Sequence, residues 1–235
     1  MKAQLYNFII LAAFCCLIFS TAAEAQKNNK PINKITPDSA PKTQKPTANS
    51  TLSPLEIAVL VEINQARNDP QKFISYLEEY RKYLKGGVLE LPNRIPMQMI
   101  EGLPAINDAI SDIKKMAKVD AYEVSGGLSK VARQQLTDLQ ENPKLKHLGK
   151  DGSDLETRLF KVGFAGMPIA ENISYRADAA REIVLNMIID DGVKSRSHRK
   201  NIFSQSFKLF GVACGAAVDK RNLCVIEFAS SFKEK

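Results

Sequence analysis

The sequence predicts an α+β fold, a small and mainly antiparallel sheet with helices packed on it. Stretches with helical periodicity run from Ser53 to about Ile188, whereas the alternating, β-branched runs come late, from Ile169 to Tyr175, Phe210 to Val218 and Leu223 to Phe228. The last two runs flank Asp219-Lys220-Arg221-Asn222 and read as a hairpin, so the sheet is antiparallel there and its faces need helices to cover them.

The amino-terminal residues read as a secretory signal. Lys2 supplies the positive end, Phe8 to Phe19 is an unbroken apolar run, and Ala23-Glu24-Ala25 is a small-x-small cleavage site before Gln26. The run is too short to span a membrane. Cys15 follows the bulky Phe14, and cleavage there would halve the apolar run, so a secreted chain (extracellular or periplasmic) without lipid is expected. Residues 26–52 are rich in Lys, Pro, Asn, Thr and Ser and bury too little apolar surface to fold, so they read as a disordered linker. The sequons Asn49-Ser50-Thr51 and Asn172-Ile173-Ser174 matter only in a glycosylating host. Residues 53–235 are the size of one domain, and a monomer is expected.

Within it, Ser53-Pro54-Leu55-Glu56 is a capping box that opens a helix through Ile63 and Asn64. Asp69-Pro70 restarts a helix that stops at Gly86-Gly87, a weaker helix lies near Ala105 to Met116, and residues 88–124 carry no functional signal. Leu128 to Leu139 marks a helix ended by Asn142-Pro143. Ser153-Asp154-Leu155-Glu156 reads as a second capping box, and Asp178 as the cap of a helix ended by Gly192. The formal charge is +7, but Lys and Arg are spread without aromatic partners and Trp is absent, so no nucleic-acid site is expected.

Two cysteines outlast the signal, Cys214 and Cys224. A three- or five-residue loop centred on Asp219 makes them cross-strand neighbours, whereas a two-residue loop at Lys220-Arg221 puts them on opposite faces. In an oxidising compartment a disulfide is expected.

The chain has two histidines, in Lys146-His147-Leu148-Gly149-Lys150-Asp151-Gly152-Ser153 and Ser197-His198-Arg199-Lys200-Asn201-Ile202, with Ala170-Glu171-Asn172-Ile173 between them. Imidazoles that meet carboxylates in one cleft serve as zinc ligands or as acid and base. Glu171, on a strand between apolar neighbours, needs a partner. Arg67 and Asn64 read as a scaffold pair, Asn172 as structural, Asp151 and Ser153 as turn and cap residues, and Asp191 as a solvated helix-end charge.

From about Ser53 to Phe232 these motifs, together with Asn64-Gln65-Ala66-Arg67, Met187-Ile188-Ile189-Asp190 and the final hairpin, resemble in order and spacing the CAP superfamily, and more closely its bacterial SCP-like members. The resemblance implies an α-β-α sandwich with flanking helices and a cleft that holds His147, His198, Glu171 and, from the late helix, Asp190. The chain departs from the family pattern at Met187, where a Trp is common, at Asp190, which replaces a Glu, and at Ala170, which replaces a Gly.

The resemblance favours a binding role without established catalysis, the partner being a lipid, a glycan, a divalent metal or an envelope protein. Two imidazoles and a carboxylate, His147, His198 and Glu171, match the ligand count of a zinc site with one open position, so zinc or another divalent metal is the candidate cofactor. The alternative is a metal-assisted or acid-base hydrolase in the same cleft. Against it, the chain has neither His-Glu-x-x-His nor Gly-x-Ser-x-Gly.

Overall fold

The computed structural model describes residues 52–235 apart from 178, 219 and 220. The signal, the sequon at Asn49, the cap at Asp178 and the turn residues Asp219 and Lys220 lie outside the described residues, as does all but the last residue of the linker.

Helix α1 (Pro54–Asn68) opens at the expected capping box, with Ser53 accepting from Glu56 N and Glu56 reaching back to Ser53 N at 2.7 Å. Helix α2 (Pro70–Lys82) leads into a small meander, β1 (Leu84–Lys85), β2 (Val88–Leu89) and β3 (Met97–Gln98), followed by α3 (Leu103–Ile113). Then come β4 (Glu123–Val124), α4 (Gly126–Glu141), a single 3-10 turn (Pro143–Leu145) and α5 (Leu155–Val162). The cap of α5 is Asp154, which accepts from Thr157 N, and not Ser153, whose hydroxyl bonds Asp151 instead; the cap therefore lies one residue later than the expected box.

A four-stranded sheet, ordered β4-β6-β7-β5, is the middle layer. It consists of β5 (Gly163–Ala177), β6 (Leu209–Ala216) and β7 (Asn222–Glu234), all antiparallel, plus β4 parallel to β6. Helices α6 (Ala180–Ile189) and α7 (Ser197–Phe203) join α1, α2 and α3 on one face, where Phe210, Val212, Ile226 and Phe228 meet Val59, Ile63, Val184 and Ile188. Helix α4 covers the other face through Leu136 and Leu139 against Ala213, Leu223 and Val225. It lies so close that a Cβ on Gly211 would stand 2.3 Å from the backbone of Leu128, which requires glycine there. The chain is therefore the expected α-β-α sandwich. Strand β5 starts at Gly163, earlier than its periodicity suggested, because Gly166 and Pro168 break the alternation without ending the pairing.

Arg67 is buried at the base of α1 and donates to Asp120 O, Ile202 O and Ser204 O at 2.6–2.8 Å, while its guanidinium covers the Tyr122 ring at 3.6 Å. Asn64 exchanges two hydrogen bonds with the Tyr122 main chain. The pair is a scaffold, as expected. Asp191 is not a solvated charge: its carboxylate accepts from Ile100 N, Glu101 N and Gly102 N at 2.5–2.9 Å, the groups that open α3. Among the described residues no helix is long and apolar enough to cross a membrane.

Cys214 and Cys224 face each other across β6 and β7, with 4.2 Å between their Cα atoms, and form a disulfide. The ladder closes at Ala216 and Asn222, so five residues separate the two strands. With a sequence separation of 10 between the cysteines, loop entropy gives the bond about 2–3 kcal/mol, so reduction should lower the melting temperature by roughly 5–10 °C. Calorimetry with and without reductant measures this, and equal midpoints would show that the bond contributes nothing to stability.

Candidate functional site

Side chains alternate along β5, and two neighbouring residues of that strand organise two separate centres. Odd-numbered residues face α4 and α5, as Ile169 and Ile173 show by packing there, and even-numbered ones face α6 and α7. Glu171 therefore points to one layer and Asn172 to the other.

On the α5 side, Glu171 Oε1 bonds His147 Nδ1 at 2.7 Å and Oε2 accepts from Arg158 Nη2 at 2.6 Å. Arg158, wholly buried, also donates to His147 O and Ser153 O and so anchors the loop that carries the histidine. Gln135 holds the same loop through Lys146 O and Leu148 O. The His147 ring itself is 58% exposed.

Glu171 also stands directly across the ladder from Glu227, a residue with no exposed surface. Among the described residues neither oxygen of Glu227 has a hydrogen-bond partner. Burial pushes its carboxyl well above the usual range, and the charge of Glu171 pushes it further against the pull of Arg158. Burial and the neighbouring charge thus both favour the neutral form of Glu227. Arg158 and Glu227 escaped the sequence reading. The signal for Glu227 was present, a lone acid in the apolar run Leu223-Cys224-Val225-Ile226-Glu227-Phe228.

On the α6 side, α6 ends at Asp190, whose left-handed backbone (φ 56°) is a conformation that Asp tolerates well. That turn lets Asp190 Oδ1 reach His198 Nδ1 at 2.8 Å while Oδ2 accepts from His198 N at 2.9 Å. Asp190 is 2% exposed. Its shorter side chain therefore reaches the histidine, because the end of the helix brings it there. Buried Arg199 fixes α7 by donating to Ile188 O and to Asp108 and Asp112 on α3. Asn172 joins the halves structurally, donating to His198 O and accepting from Asn201 Nδ2.

Each carboxylate takes its hydrogen bond from Nδ1, so each neutral imidazole carries its proton there and leaves Nε2 with a lone pair. The structure thus pairs His147 with Glu171 and His198 with Asp190. Both oxygens of Glu171 are engaged, as are both of Asp190. Among the described residues no group of three or more His, Cys, Asp or Glu side chains is placed to hold a metal ion.

A cleft of about 250 Å³ opens beside His198 and Asp190. Met187 and Ile189 of α6 form its floor, and Ser174 and Tyr175 of β5 form one wall. Leu89 and Met97 to Ile100 form another wall, so the stretch that carried no functional signal supplies a third of the lining residues. Burial and the neighbouring Glu171 charge both raise the Tyr175 phenol. Neither His147 nor Glu171 lines the cleft.

A carboxyl raised on folding binds its proton more tightly in the folded chain. The stability it confers is complete below the unfolded value near 4.3 and falls away as pH rises towards the folded one. Glu227→Gln keeps the shape and the donor without that dependence. The variant should gain on the parent from pH 5 to pH 8, by up to about 1.4 kcal/mol per pH unit. Urea unfolding across that range reads the difference, and parallel curves would mean that Glu227 is not a buried acid.

The family described as "Cysteine-rich secretory protein family", CAP, matches residues 60–228. Among solved structures, an outer surface protein of Borrelia burgdorferi is 17% identical, with 72% of this chain and 96% of that one covered and a TM-score of 0.40. A cysteine-rich secretory protein of Staphylococcus aureus is 16% identical, covering 53% of this chain and 38% of that one, with a TM-score of 0.37. An extracellular SCP-domain protein of Bacillus anthracis is 23% identical, covering 53% and 37%, with a TM-score of 0.35. No curated protein matches the sequence. The family match spans well over half of the chain and takes in both histidines and both of their acids, so the chain belongs to the CAP family of cysteine-rich secretory proteins.

Proposed function

We propose that this is a secreted CAP domain that binds a ligand in the cleft beside His198 without transforming it. The observation that carries the reading is the cleft itself, in which apolar side chains such as Met97, Met187 and Ile189 stand beside a few polar groups, among them an imidazole oriented by a buried aspartate. An amphipathic molecule fits such a surface, its apolar body against Met97, Met187 and Ile189 and its polar end at His198. Lipids, glycans and segments of envelope proteins all present such chemistry.

The hydrolase reading draws support from the same pair, because Asp190 holds His198 as a base would be held. Ser174 lines the cleft as well but makes no hydrogen bond to His198. Turnover of a p-nitrophenyl ester that is lost in His198→Ala would establish that reading instead.

The anionic fluorophore 8-anilinonaphthalene-1-sulfonate combines an apolar body with a charged end and serves as the probe. It should bind the folded domain with one saturable site, and Ser174→Trp, which fills the cleft, should abolish the signal. Saturation that is unchanged in Ser174→Trp would place the probe elsewhere and sink the reading.

Zinc binding by His147, His198 and Glu171 is a separate proposal. It is supported by the free Nε2 atoms, since metal-bound histidines commonly donate their other N–H to a carboxylate. It requires the two imidazoles, which are paired with different acids, to turn their Nε2 atoms to one ion, and Glu171 to release His147 or Arg158 or else to act as the orienting partner. Calorimetry at neutral pH should show one site that is lost in either His→Ala variant; no heat at micromolar zinc would end the proposal.

A further inference from the structure

The geometry points to an extended peptide as the occupant of the cleft, added as a fifth strand along the outer edge of β5. The inference rests on the reading of the cleft as a ligand site and names the class of ligand.

Hydrogen-bond direction fixes which groups lie on that edge. On β6, the even-numbered residues point away from β7: Val212 N donates to Ser129 Oγ at 3.3 Å, Cys214 N donates to Glu56 Oε1 at 2.8 Å, and Ala216 O accepts from Gln140 Nε2 at 2.8 Å. The odd-numbered residues of β6 therefore exchange bonds with Val225 and Glu227, which turns Cys224 and Ile226 of β7 towards β5, where they meet Ser174 and Asn172. It follows that the main-chain N–H and C=O groups of Ile173 and Tyr175 point outward. Strand β5 pairs with β7 alone, and no hydrogen bond to the outward groups of Ile173 or Tyr175 is made among the described residues.

The two edges of the sheet are thus treated differently. Where β4 does not cover it, the β6 edge is closed by Ser129, Glu56 and Gln140. The β5 edge is left open where it borders the cleft. Ile173, Ser174 and Tyr175 all line that cleft, which three consecutive residues of a strand do only along its edge, since their side chains alternate between faces.

The facing wall has the same character. Met97, Gln98, Met99 and Ile100 are consecutive too, and β3 pairs with β2 alone. Met99 N bonds Gly87 O, so the odd positions there turn towards β2 and the Gln98 main chain turns away. An open strand edge recognises another extended backbone through main-chain hydrogen bonds, and side-chain pockets select every second residue. Met97, Met187 and Ile189 supply apolar, adaptable pockets of that kind. A strand-forming segment with apolar residues at alternate positions fits both requirements.

The test uses heptapeptides selected from a phage-displayed random library against the full secreted chain, with the enriched sequence then synthesised. N-methylation at alternate residues should weaken binding at least tenfold, and methylation at the intervening ones should leave it unchanged, because only one phase of the backbone faces β5. Tyr175→Pro removes an outward N–H and leaves the β7 ladder intact, whereas Tyr175→Ala keeps that N–H. Both variants lose the Tyr175 ring, so the N–H alone distinguishes them, and Tyr175→Pro should bind at least tenfold more weakly than Tyr175→Ala. Methylation in both phases having equal effect, Tyr175→Pro binding as tightly as Tyr175→Ala, or a library without any binder tighter than 1 mM would each overturn the inference. A dimer that Tyr175→Pro dissolves would also overturn it, in favour of a second copy on the same edge. If Tyr175→Pro does not fold, the methylation pattern decides alone. Fluorophore binding without peptide binding refutes the peptide and spares the cleft; loss of both refutes the cleft.

Discussion

Alternation of side chains along one strand is the constraint from which the site follows. Because Glu171 and Asn172 are consecutive on β5, they must face opposite layers of the sandwich, so Glu171 bonds the His147 ring from one layer while Asn172 holds the His198 main chain from the other. His147 is reached from the α4 and α5 layer and stands largely in solvent. His198 is reached from the α6 and α7 layer and borders the cleft. One strand thereby supplies a charge partner to one centre and a main-chain anchor to the other.

The stability of this arrangement depends on buried charge being matched. Arg67, Arg158 and Arg199 are among the most buried side chains of the domain, and each sits among main-chain carbonyls, with carboxylates added for Arg158 and Arg199. An unpaired buried charge costs several kcal/mol, so removing any one partner should cost more than the bond it forms. The Glu171 and Glu227 pair is the exception that explains itself. Two ionised carboxyls beside one arginine would repel, and burial together with the charge of Glu171 raises the Glu227 carboxyl. Hydrogen-bonded main chain around Lys146, Leu148 and Asp190 then fixes the imidazoles, which would otherwise sample several rotamers.

The sequence showed the layers, the helix starts at Ser53 and Pro70, the hairpin with its disulfide, and the residues of both imidazole pairs, because each of these follows from local periodicity, capping or a short motif. The pairing itself was less visible, since motif order brings four residues towards one cleft and cannot say which face of β5 each one occupies. Three features stayed hidden for physical reasons. Arg158 lies in an amphipathic helix where a charge is normally solvated, and only the neighbouring strand makes it a buried partner. Asp191 looks like an ordinary helix-end charge until the Ile100 to Gly102 turn folds back onto it from ninety residues away. The cleft wall from Met97 to Ile100 has no motif, because a strand edge is recognised by its free main chain and not by its side chains.

The pairing of each imidazole with its own acid is tested most directly by the nitrogen-15 shifts of the two neutral rings in the parent and in Glu171→Gln. Both rings of the parent should show the tautomer protonated at Nδ1. In Glu171→Gln the amide oxygen is taken by Arg158, so the amide N–H faces His147 Nδ1 and should move that ring's proton to Nε2, while His198 keeps its proton on Nδ1. A proton on Nε2 in either neutral ring of the parent, or a tautomer change at His198 in the variant, would contradict the account.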